Sequence, residues 1–226
     1  MSSDEPKIVI SENGPYLVNG NVPLDEETAM CESNGDALKW EKGKTYPSQK
    51  SYALCRCGKS ENKPFCDGSH VAIKFDGCET SDNIDYSKES DELIGESLTL
   101  NDCRDLCSSA RFCHRAGGTW SLTRNSSDSK NRALAIQETG DCPSGRLTIF
   151  DQKTGLPIEP KFIHSISATR DDGANVLGPL WIKGGIPIES FSGKKYEIRN
   201  RVTLCRCGKS RNKPFCDGTH IEVGFR

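Results

Sequence analysis

Two stretches of this sequence each hold three cysteines and one histidine at the same spacing. The first set consists of Cys55, Cys57, Cys66 and His70, and the second of Cys205, Cys207, Cys216 and His220. The stretches that contain them, residues 54–70 and 204–220, differ at two positions only. Cysteine thiolates and histidine nitrogens are typical ligands of zinc and of iron–sulfur clusters. The sequence therefore predicts two metal centres of the same kind.

The spacing within each set, C-x-C-x8-C-x3-H, separates the ligands into two close pairs. Structural zinc accepts three cysteines and one histidine, but zinc sites usually space their ligands as C-x2–4-C. Two close pairs suit two irons joined by sulfides, with two protein ligands on each iron. Side chains in C-x-C point to opposite faces of a flat strand, so we expect a turn there, with Gly58 and Gly208 supplying the freedom. Cys66 and His70 are four residues apart, which places both on one face of a helical turn whose start Asp67 stabilises.

Both stretches resemble the signature of the CDGSH iron–sulfur proteins, the mitoNEET-type family. That signature, C-x-C-x2-S-x3-P-F-C-D-G-(S/A/T)-H, reads CRCGKSENKPFCDGSH from Cys55 and CRCGKSRNKPFCDGTH from Cys205. The resemblance covers roughly residues 7–76 and 163–226 and implies one [2Fe–2S] cluster per motif, held by the three cysteines and the histidine. It also implies that two motifs in one chain fold as an intramolecular pseudo-dimer.

The histidine ligand has chemical consequences. Neutral imidazole in place of a thiolate removes a negative charge from the cluster and raises its reduction potential, as in Rieske centres. An imidazole that leaves the iron can also take up a proton near neutral pH. We therefore expect each cluster to be lost at mildly acid pH.

A third group of cysteines lies between the two motifs. Cys107 and Cys113 have the spacing of the first and third cysteines in the bacterial ferredoxin pattern C-x2-C-x2-C, and Cys142-Pro143 matches its remote ligand. Ala110 occupies the middle position. This unit resembles single-cluster ferredoxins and a divergent mono-cluster ferredoxin domain, which implies a [3Fe–4S] cluster or a [4Fe–4S] cluster with an outside ligand. The alternatives are a zinc site and a remnant that binds nothing.

Other cysteines and histidines have no clear place in these patterns. Cys103 precedes Cys107 by four residues, and it either completes a [4Fe–4S] site or is a bystander. His114 follows the ligand Cys113 directly and is expected at the surface or behind the ligands. Three further residues match no motif: Cys31, Cys78 and His164.

The duplication extends beyond the metal ligands. Gly178–Ile188 (GPLWIKGGIPI) repeats Gly14–Leu24 (GPYLVNGNVPL) nearly position by position, which indicates that a whole small domain is duplicated. Alternating apolar residues predict a strand at Lys7–Ile10 and a hairpin around Asn19-Gly20. Between this segment and the cysteines, the first copy is fourteen residues longer than the second. We expect the excess as a surface insertion near residues 30–38.

The predicted fold is α+β, with two small β-rich CDGSH repeats, which form an intramolecular pseudo-dimer, and an inserted ferredoxin-like domain. The domain bounds are residues 1–78 for the first repeat, 79–96 for an acidic linker, 97–160 for the ferredoxin-like domain and 161–226 for the second repeat. Further strands are expected at residues 51–54, 98–101, 147–150 and 201–204, and a short helix at 132–137.

Composition favours small units braced by metal sites. Only 34% of the 226 residues are hydrophobic, whereas twelve are cysteines, and small domains bury too little apolar surface to be stable by packing alone. The net charge of −2 indicates no basic surface for nucleic acid. No apolar run is long enough to cross a bilayer, and the first ten residues lack the features of a secretory signal. We therefore expect a reducing, cytoplasmic location in which the cysteines bind metal.

These features predict a multi-cluster iron–sulfur protein that carries single electrons between redox partners. A cluster donor or store, or a redox and pH sensor, is the second hypothesis, because histidine-ligated clusters are labile. A structural zinc-binding interaction module is the third. No phosphate loop, dinucleotide motif or hydrolase triad is recognisable, so we do not expect an enzyme. The expected partners are redox proteins or apo-acceptors of clusters, without nucleic-acid or membrane binding, and the expected state is a monomer with an internal pseudo-dimer.

Overall fold

The computed structural model describes residues 5–82 and 84–226. Within these ranges, short strands form three sheets and are accompanied by five α-helices and two 3-10 helices, Arg104–Leu106 and Phe112–Gly117. The strands are β1 (Lys7–Ile10), β2 (Tyr16–Asn19), β3 (Leu24–Cys31), β4 (Ala37–Thr45), β5 (Ser51–Leu54), β6 (Asp91–Ile94), β7 (Leu98–Asp102), β8 (Leu147–Asp151), β9 (Pro157–Ile158), β10 (Ser165–Asp171), β11 (Val176–Lys183), β12 (Ile188–Glu189) and β13 (Arg201–Leu204). The α-helices are α1 (Ser69–Ala72), α2 (Tyr86–Glu89), α3 (Thr119–Arg124), α4 (Ser129–Asp141) and α5 (Thr219–Glu222). None of the helices in these ranges has the length and apolar character needed to cross a membrane.

The two repeats exchange strands with each other. The first sheet has the order β12-β1-β2-β5, and the second has the order β13-β11-β10-β3-β4. Strand β12 belongs to the second repeat yet lies parallel to β1, with Ile188 opposite Ile8. Strand β3 belongs to the first repeat yet lies parallel to β10, with Leu24 opposite Ile166. The repeats are therefore interleaved, and the chain contains the pseudo-dimer that the resemblance implied.

One apolar core joins the two repeats. Its buried side chains include Ile8, Ile10, Tyr16, Val18 and Leu54 from the first repeat and Ile166, Leu180, Ile182, Val202 and Leu204 from the second. Full burial of a large aliphatic side chain contributes about 1.5–3 kcal/mol. Because the core draws on both repeats, separating them would expose it, and the pseudo-dimer is the unit that folds.

The hairpin predicted around Asn19-Gly20 is wrong. Strand β2 pairs with β1 and β5, whereas the residues after Gly20 leave this sheet and form β3 in the other one. Gly20 and Asn21 both have positive φ, at 86° and 54°, so the chain turns without folding back on β2. The exchange is favoured because Val22 and Leu24 become buried in the shared core.

The insertion in the first repeat forms the hairpin of β3 and β4. Its turn near residues 32–34 is exposed, as predicted, but Ala37 is fully buried. The Trp40 ring stacks on Phe112 of the central unit at 5.0 Å between centroids, and its Nε1 donates to the Asp141 carbonyl at 2.9 Å. The hairpin therefore joins the first repeat to the central unit and is not only a surface insertion.

The central unit packs a third sheet, with the order β6-β7-β8-β9, against α3 and α4. The strands predicted at residues 98–101 and 147–150 are confirmed as β7 and β8. The helix predicted at residues 132–137 is longer, because Asp128 caps α4 by accepting hydrogen bonds from the Lys130 and Asn131 amides. The buried core of the central unit consists of Leu98, Leu100, Leu122, Ala135, Leu147 and Ile149.

The segment predicted as an exposed acidic linker, residues 79–96, begins with contacts to the second repeat and ends in β6, which pairs with β7 of the central unit. The Thr80 amide donates to the Lys213 carbonyl, and the Lys213 amide donates to the Thr80 hydroxyl, both at 2.8 Å. The Tyr196 hydroxyl donates to Glu79 at 2.5 Å. Helix α2 and strand β6 follow in the same segment. The low apolar content of the segment gave no indication of these contacts, because polar groups make them.

Candidate metal centres

Strands β5 and β13 position the C-x-C halves of the two motifs. A glycine with positive φ follows the second cysteine of each half, as the sequence predicted. The two thiols face one another, with Sγ–Sγ distances of 3.8 Å for Cys55–Cys57 and 3.7 Å for Cys205–Cys207. Two thiolates bound at about 2.3 Å to one tetrahedral metal stand about 3.8 Å apart. Each half therefore has the geometry to hold one metal ion.

The second half of each motif brings a cysteine and a histidine together. The Cys66 Sγ lies 3.4 Å from the His70 Nδ1, and the Cys216 Sγ lies 3.4 Å from the His220 Nδ1. A thiolate and an imidazole bound to one tetrahedral metal stand about 3.5 Å apart. These pairs also have the geometry to hold one metal ion each.

A left-handed glycine, and not a shared helical turn, brings each cysteine–histidine pair together. The expectation of one helical turn from Cys66 to His70 is wrong, because α1 begins only after the cysteine. Gly68 has φ of 89° and bends the chain between the two ligands. Asp67 supports this bend by accepting hydrogen bonds from the hydroxyl and the amide of Ser69, at 2.6 and 3.0 Å. These two bonds hold the pKa of Asp67 well below its usual value.

The ligands are gathered as pairs and not as groups of four. Across residues 5–82 and 84–226, no three His, Cys, Asp or Glu side chains are close enough to hold one metal ion. Tetrahedral zinc bound by three cysteines and a histidine requires four ligands around one point. A [2Fe–2S] cluster requires two ligands on each of two irons. The two close pairs of each motif match this arrangement of ligands.

Burial keeps several of these thiols from ionising without a metal. Desolvation raises the pKa of Cys57 and of Cys216 above the usual thiol value, and neighbouring thiolates add to the effect. In the central unit, burial raises the pKa of Cys113 to about 12. A bound metal ion deprotonates a coordinating thiol outright. The donor set therefore suits a group that carries positive metal charge.

Two buried arginines are an independent sign of negative charge at the motifs. Arg56 and Arg206 stand between the cysteines of the C-x-C halves and are 2% and 3% exposed. In the described chain, Nη1 of Arg56 and Nε of Arg206 have no hydrogen-bond partner. A buried charge without a counter-ion is destabilising, and a cluster held by three thiolates is anionic. The residues present therefore fit an iron–sulfur cluster at each motif.

The surroundings of the two centres differ. Gly68 at the first centre is exposed, and a Cβ there would meet nothing within 4 Å. Gly218 at the second centre is buried against Ser109 of the central unit, and a Cβ there would lie 3.4 Å from the Cys107 carbonyl oxygen. His220 is 3% exposed, whereas the equivalent histidine of the first centre is partly exposed. The central unit covers the second centre and leaves the first one open.

The three cysteines proposed as ligands in the central unit line one cavity. The residues around this cavity include Cys107, Cys113, Cys142 and Ala110. Ser109 and Arg111 have positive φ, at 56° and 63°, and curve the loop around the cavity. Left-handed residues in such a loop turn successive amides toward one point and favour an anionic group there. The three thiols therefore lie around one cavity, and Ala110, which lies around the same cavity, has no side chain that can bind a metal.

The other candidate residues lie apart from this cavity. Cys103 does not line the cavity; its Sγ lies 4.0 Å from Glu89 Oε2, and burial together with Glu89 raises the pKa of Cys103 to about 11. His114 packs its ring 6.1 Å from the Trp120 ring. The remaining unassigned residues are exposed at Cys78 and His164 and partly buried at Cys31.

Sequence reasoning missed Arg146 beside the central ligands. Its Nε and Nη2 donate to Asp102 at 2.6 and 2.9 Å, and it lines the same cavity as Cys107. Burial disfavours the charged guanidinium, but the Asp102 carboxylate and the Cys107 thiolate raise the pKa of Arg146 further above its usual value. Positive charge and hydrogen bonds near an iron–sulfur cluster raise its potential. No local motif marks this arginine, since its partner is distant in the sequence.

Comparison with protein families finds matches to the three regions that contain these cysteines and histidines. A family described as iron-binding zinc finger, CDGSH type, matches residues 13–71 and 177–221, and a family described as divergent 4Fe-4S mono-cluster matches residues 93–152. Comparison with curated proteins and comparison with solved structures found no match. The chain therefore has two regions that match the CDGSH-type family, one on each side of a region that matches the divergent 4Fe-4S mono-cluster family.

Proposed function

We propose that the protein carries single electrons between redox protein partners through three iron–sulfur clusters. The two CDGSH ligand sets hold one [2Fe–2S] cluster each. Cys107, Cys113 and Cys142 hold a [3Fe–4S] cluster, or a [4Fe–4S] cluster with an outside ligand. When bound, the clusters supply reversible one-electron chemistry, and the protein residues set its potential and access. The chain has no substrate of its own in this proposal, and the pseudo-dimer acts as a monomer.

The contiguity of the three centres carries this proposal. Gly218 lies between two ligands of the second CDGSH centre, Cys216 and His220. A Cβ added at Gly218 would lie 3.4 Å from the Cys107 carbonyl oxygen of the central unit. The C-x-C backbones of the two CDGSH centres also touch, since a Cβ at Gly58 would lie 2.6 Å from the Cys207 carbonyl oxygen. Electron transfer slows steeply with the distance between redox centres. A row of adjoining centres therefore favours transfer within the molecule.

Both ends of this row are accessible from outside. A groove of about 640 Å³ opens onto Cys107 and Arg146 at the central unit. At the other end, Cys66 and His70 of the first CDGSH centre are partly exposed. Electrons therefore have an entry at one end of the row and an exit at the other.

Substoichiometric anaerobic reduction, followed by rapid freezing and EPR spectroscopy, tests the carrier role. We expect one electron to be distributed over the centres according to their potentials and to be recovered fully on reoxidation. In the matched variant Cys113→Ser, the central signal is lost and the two [2Fe–2S] signals remain. Loss of the clusters within one cycle, or centres that exchange no electrons, would contradict the carrier role.

Substitution of Ala110 tests the central ligand set. In Ala110→Cys, a thiol occupies the corner where the bacterial ferredoxin pattern has its middle ligand. We expect a three-iron cluster to become a four-iron cluster, seen as loss of the EPR signal of the oxidised three-iron form and as a higher iron content. An unchanged cluster in a folded variant would show that Ala110 does not face the cluster.

Donation of the first cluster is a second candidate function, and the exposure of the first centre favours it. Cys66 and His70 are partly exposed and Gly68 is open, so an acceptor protein can approach these ligands. Mixing the loaded protein with an apo-ferredoxin separates the two functions. Transfer of the first cluster with retention of the second supports donation, whereas retention of both with rapid reversible reduction supports the electron carrier.

A further inference from the structure

The described chain contains four buried arginines, and two of them lack a carboxylate partner. Arg146 and Arg201 form ion pairs at 2.6 Å, with Asp102 and Glu159. The other two, Arg56 and Arg206, are as deeply buried but take part in no ion pair among the described residues. Proteins seldom bury an arginine charge without a counter-ion.

Carbonyl groups and rings surround these two arginines instead. Arg56 donates from Nε to the Gly14 carbonyl at 2.8 Å, and its guanidinium carbon lies 5.4 Å from the Phe75 ring centroid. Arg206 donates from Nη2 to the Thr169 carbonyl at 3.2 Å, and its guanidinium carbon lies 5.5 Å from the Phe225 ring centroid. Each keeps one buried nitrogen without a hydrogen-bond partner among residues 5–82 and 84–226. These neutral neighbours do not neutralise the two charges.

Glu26 interacts electrostatically with Arg206 but is hydrogen-bonded to another residue. Glu26 lies beyond ion-pair distance, and its Oε1 accepts a hydrogen bond from Tyr46 at 2.5 Å. Arg206 lies between the ligands Cys205 and Cys207. A Cβ at Gly58 of the other motif would lie 2.6 Å from the Cys207 carbonyl oxygen. Arg206 therefore lacks a paired carboxylate and lies beside the other motif.

Arg56 occupies the corresponding place on its side of the interface. Its guanidinium carbon lies 5.7 Å from the centroid of the Tyr16 ring, and the Tyr16 hydroxyl donates to the Cys205 carbonyl at 2.8 Å. The backbones of the two C-x-C halves touch at this interface, where a Cβ at Gly208 would lie 2.7 Å from the Cys57 carbonyl oxygen. The two arginines therefore lie where both clusters can act on them.

We propose that Arg56 and Arg206 are the counter-ions of the two CDGSH clusters and raise the reduction potentials of both across the pseudo-dimer interface. A three-thiolate cluster is anionic and becomes more negative when it takes up an electron. A fixed positive charge in a buried site stabilises that added charge more strongly than it would in water. The two side chains act as positioning residues that set the potential, and the inference rests on the proposed [2Fe–2S] clusters.

EPR-monitored redox titration of the loaded full-length protein tests this role. For Arg56→Gln and Arg206→Gln we expect the equilibrium constant for one-electron reduction to fall about tenfold at the CDGSH centres, which corresponds to about 59 mV. The matched control is Arg132→Gln, which removes an arginine of the central unit that is paired with Asp151 at 2.6 Å. This control should leave the potentials of both CDGSH centres unchanged.

Lysine variants give a second readout if a glutamine variant loses its clusters. Lysine keeps the positive charge of arginine at about pH 7, whereas glutamine removes it. We expect Arg206→Lys to retain its clusters, with potentials closer to the wild-type values than those of Arg206→Gln.

Two outcomes separate this inference from the proposed function. A wild-type protein without visible absorption would refute the iron–sulfur clusters themselves. A coloured wild-type protein would refute only the counter-ion role if its potentials were unchanged in the glutamine variants, or if Arg206→Lys and Arg206→Gln lost their clusters equally.

Discussion

The two CDGSH centres differ at two positions in seventeen, yet they lie in different environments. Cys66 and His70 of the first centre are partly exposed, whereas Cys216 and His220 of the second are each 3% exposed. The distance from Sγ to Nδ1 is nevertheless 3.4 Å in both. The local sequence sets the ligand geometry, and long-range packing sets the access of solvent.

The central unit causes this difference. Asn212 of the second motif donates from Nδ2 to the Asp105 carbonyl at 3.0 Å, and Gly218 packs on Ser109. The equivalent Asn62 side chain of the first motif makes no hydrogen bond to any residue that the structure describes. In the carrier role proposed above, this asymmetry would assign internal electron exchange to the second centre and contact with partners to the first.

Replacement of the histidine ligands should have the largest effect on the comparison. In His220→Cys and in His70→Cys, a thiolate adds negative charge to the cluster, so we expect the potential of that centre to fall by on the order of 100 mV or more. A thiolate is also displaced less easily by mild acid than imidazole, so the altered cluster should be more acid-stable. Redox titration with EPR detection assigns each signal to its motif. No change in either property would refute the role given to the histidines.

Substitution of the two left-handed glycines by alanine compares the packing around the first centre with the packing around the second. Gly68 and Gly218 have φ of 89° and 88°, so alanine costs about 1–2 kcal/mol of backbone energy at each. Only Gly218→Ala also meets Ser109, and overpacking of this kind costs about 1–3 kcal/mol more. Denaturant unfolding should therefore show a larger loss of stability for Gly218→Ala. Equal losses in the two variants would mean that the central unit does not press on the second centre.

Acidification should remove the first cluster before the second. Burial lowers the pKa of His220 from its usual 6.5 to about 4, so protons compete for this ligand only at lower pH. The same shift makes the folded state lose stability as the pH falls from about 6.5 to about 4, because the unfolded state binds a proton that the folded state excludes. Stepwise acidification followed by visible absorption and EPR measures the order of loss. Simultaneous loss, or earlier loss of the second cluster, would contradict the difference in access.

Removal of the asparagine side chains should have the smallest effect. Asn212→Ala deletes the bond to the Asp105 carbonyl and should lower the free energy of unfolding by about 1 kcal/mol. Asn62→Ala is the matched control and should be within about 0.5 kcal/mol of the wild type. A larger loss at position 62 than at position 212 would reverse the assignment of the covered centre.

The ligand sets were predictable because each lies within a short stretch of sequence. Spacing alone pairs Cys55 with Cys57 and Cys66 with His70, and the local backbone produces those pairs in the structure. The fold class and the pseudo-dimer followed from the repeated segments and from the family resemblance. The strand exchange was not predictable, because Gly20 and Asn21 permit a turn toward either sheet and burial in the shared core decides between them.

The contacts around the centres could not be predicted from the sequence either. The contact of Ser109 with Gly218 joins segments that are far apart in the chain, and neither residue belongs to a motif that predicts the other. Arg56 and Arg206 look like surface residues in the sequence, and only the interleaved fold buries them. The environment that distinguishes two nearly identical motifs therefore depends on tertiary contacts.

An anaerobic EPR-monitored redox titration of the purified protein, combined with iron and sulfide analysis, shows whether the protein holds three clusters in different environments. We expect a coloured protein in which two [2Fe–2S] signals titrate at different potentials and a third signal belongs to the central cluster. A colourless protein that contains zinc, or two CDGSH signals that titrate identically and disappear together on acidification, would contradict this expectation.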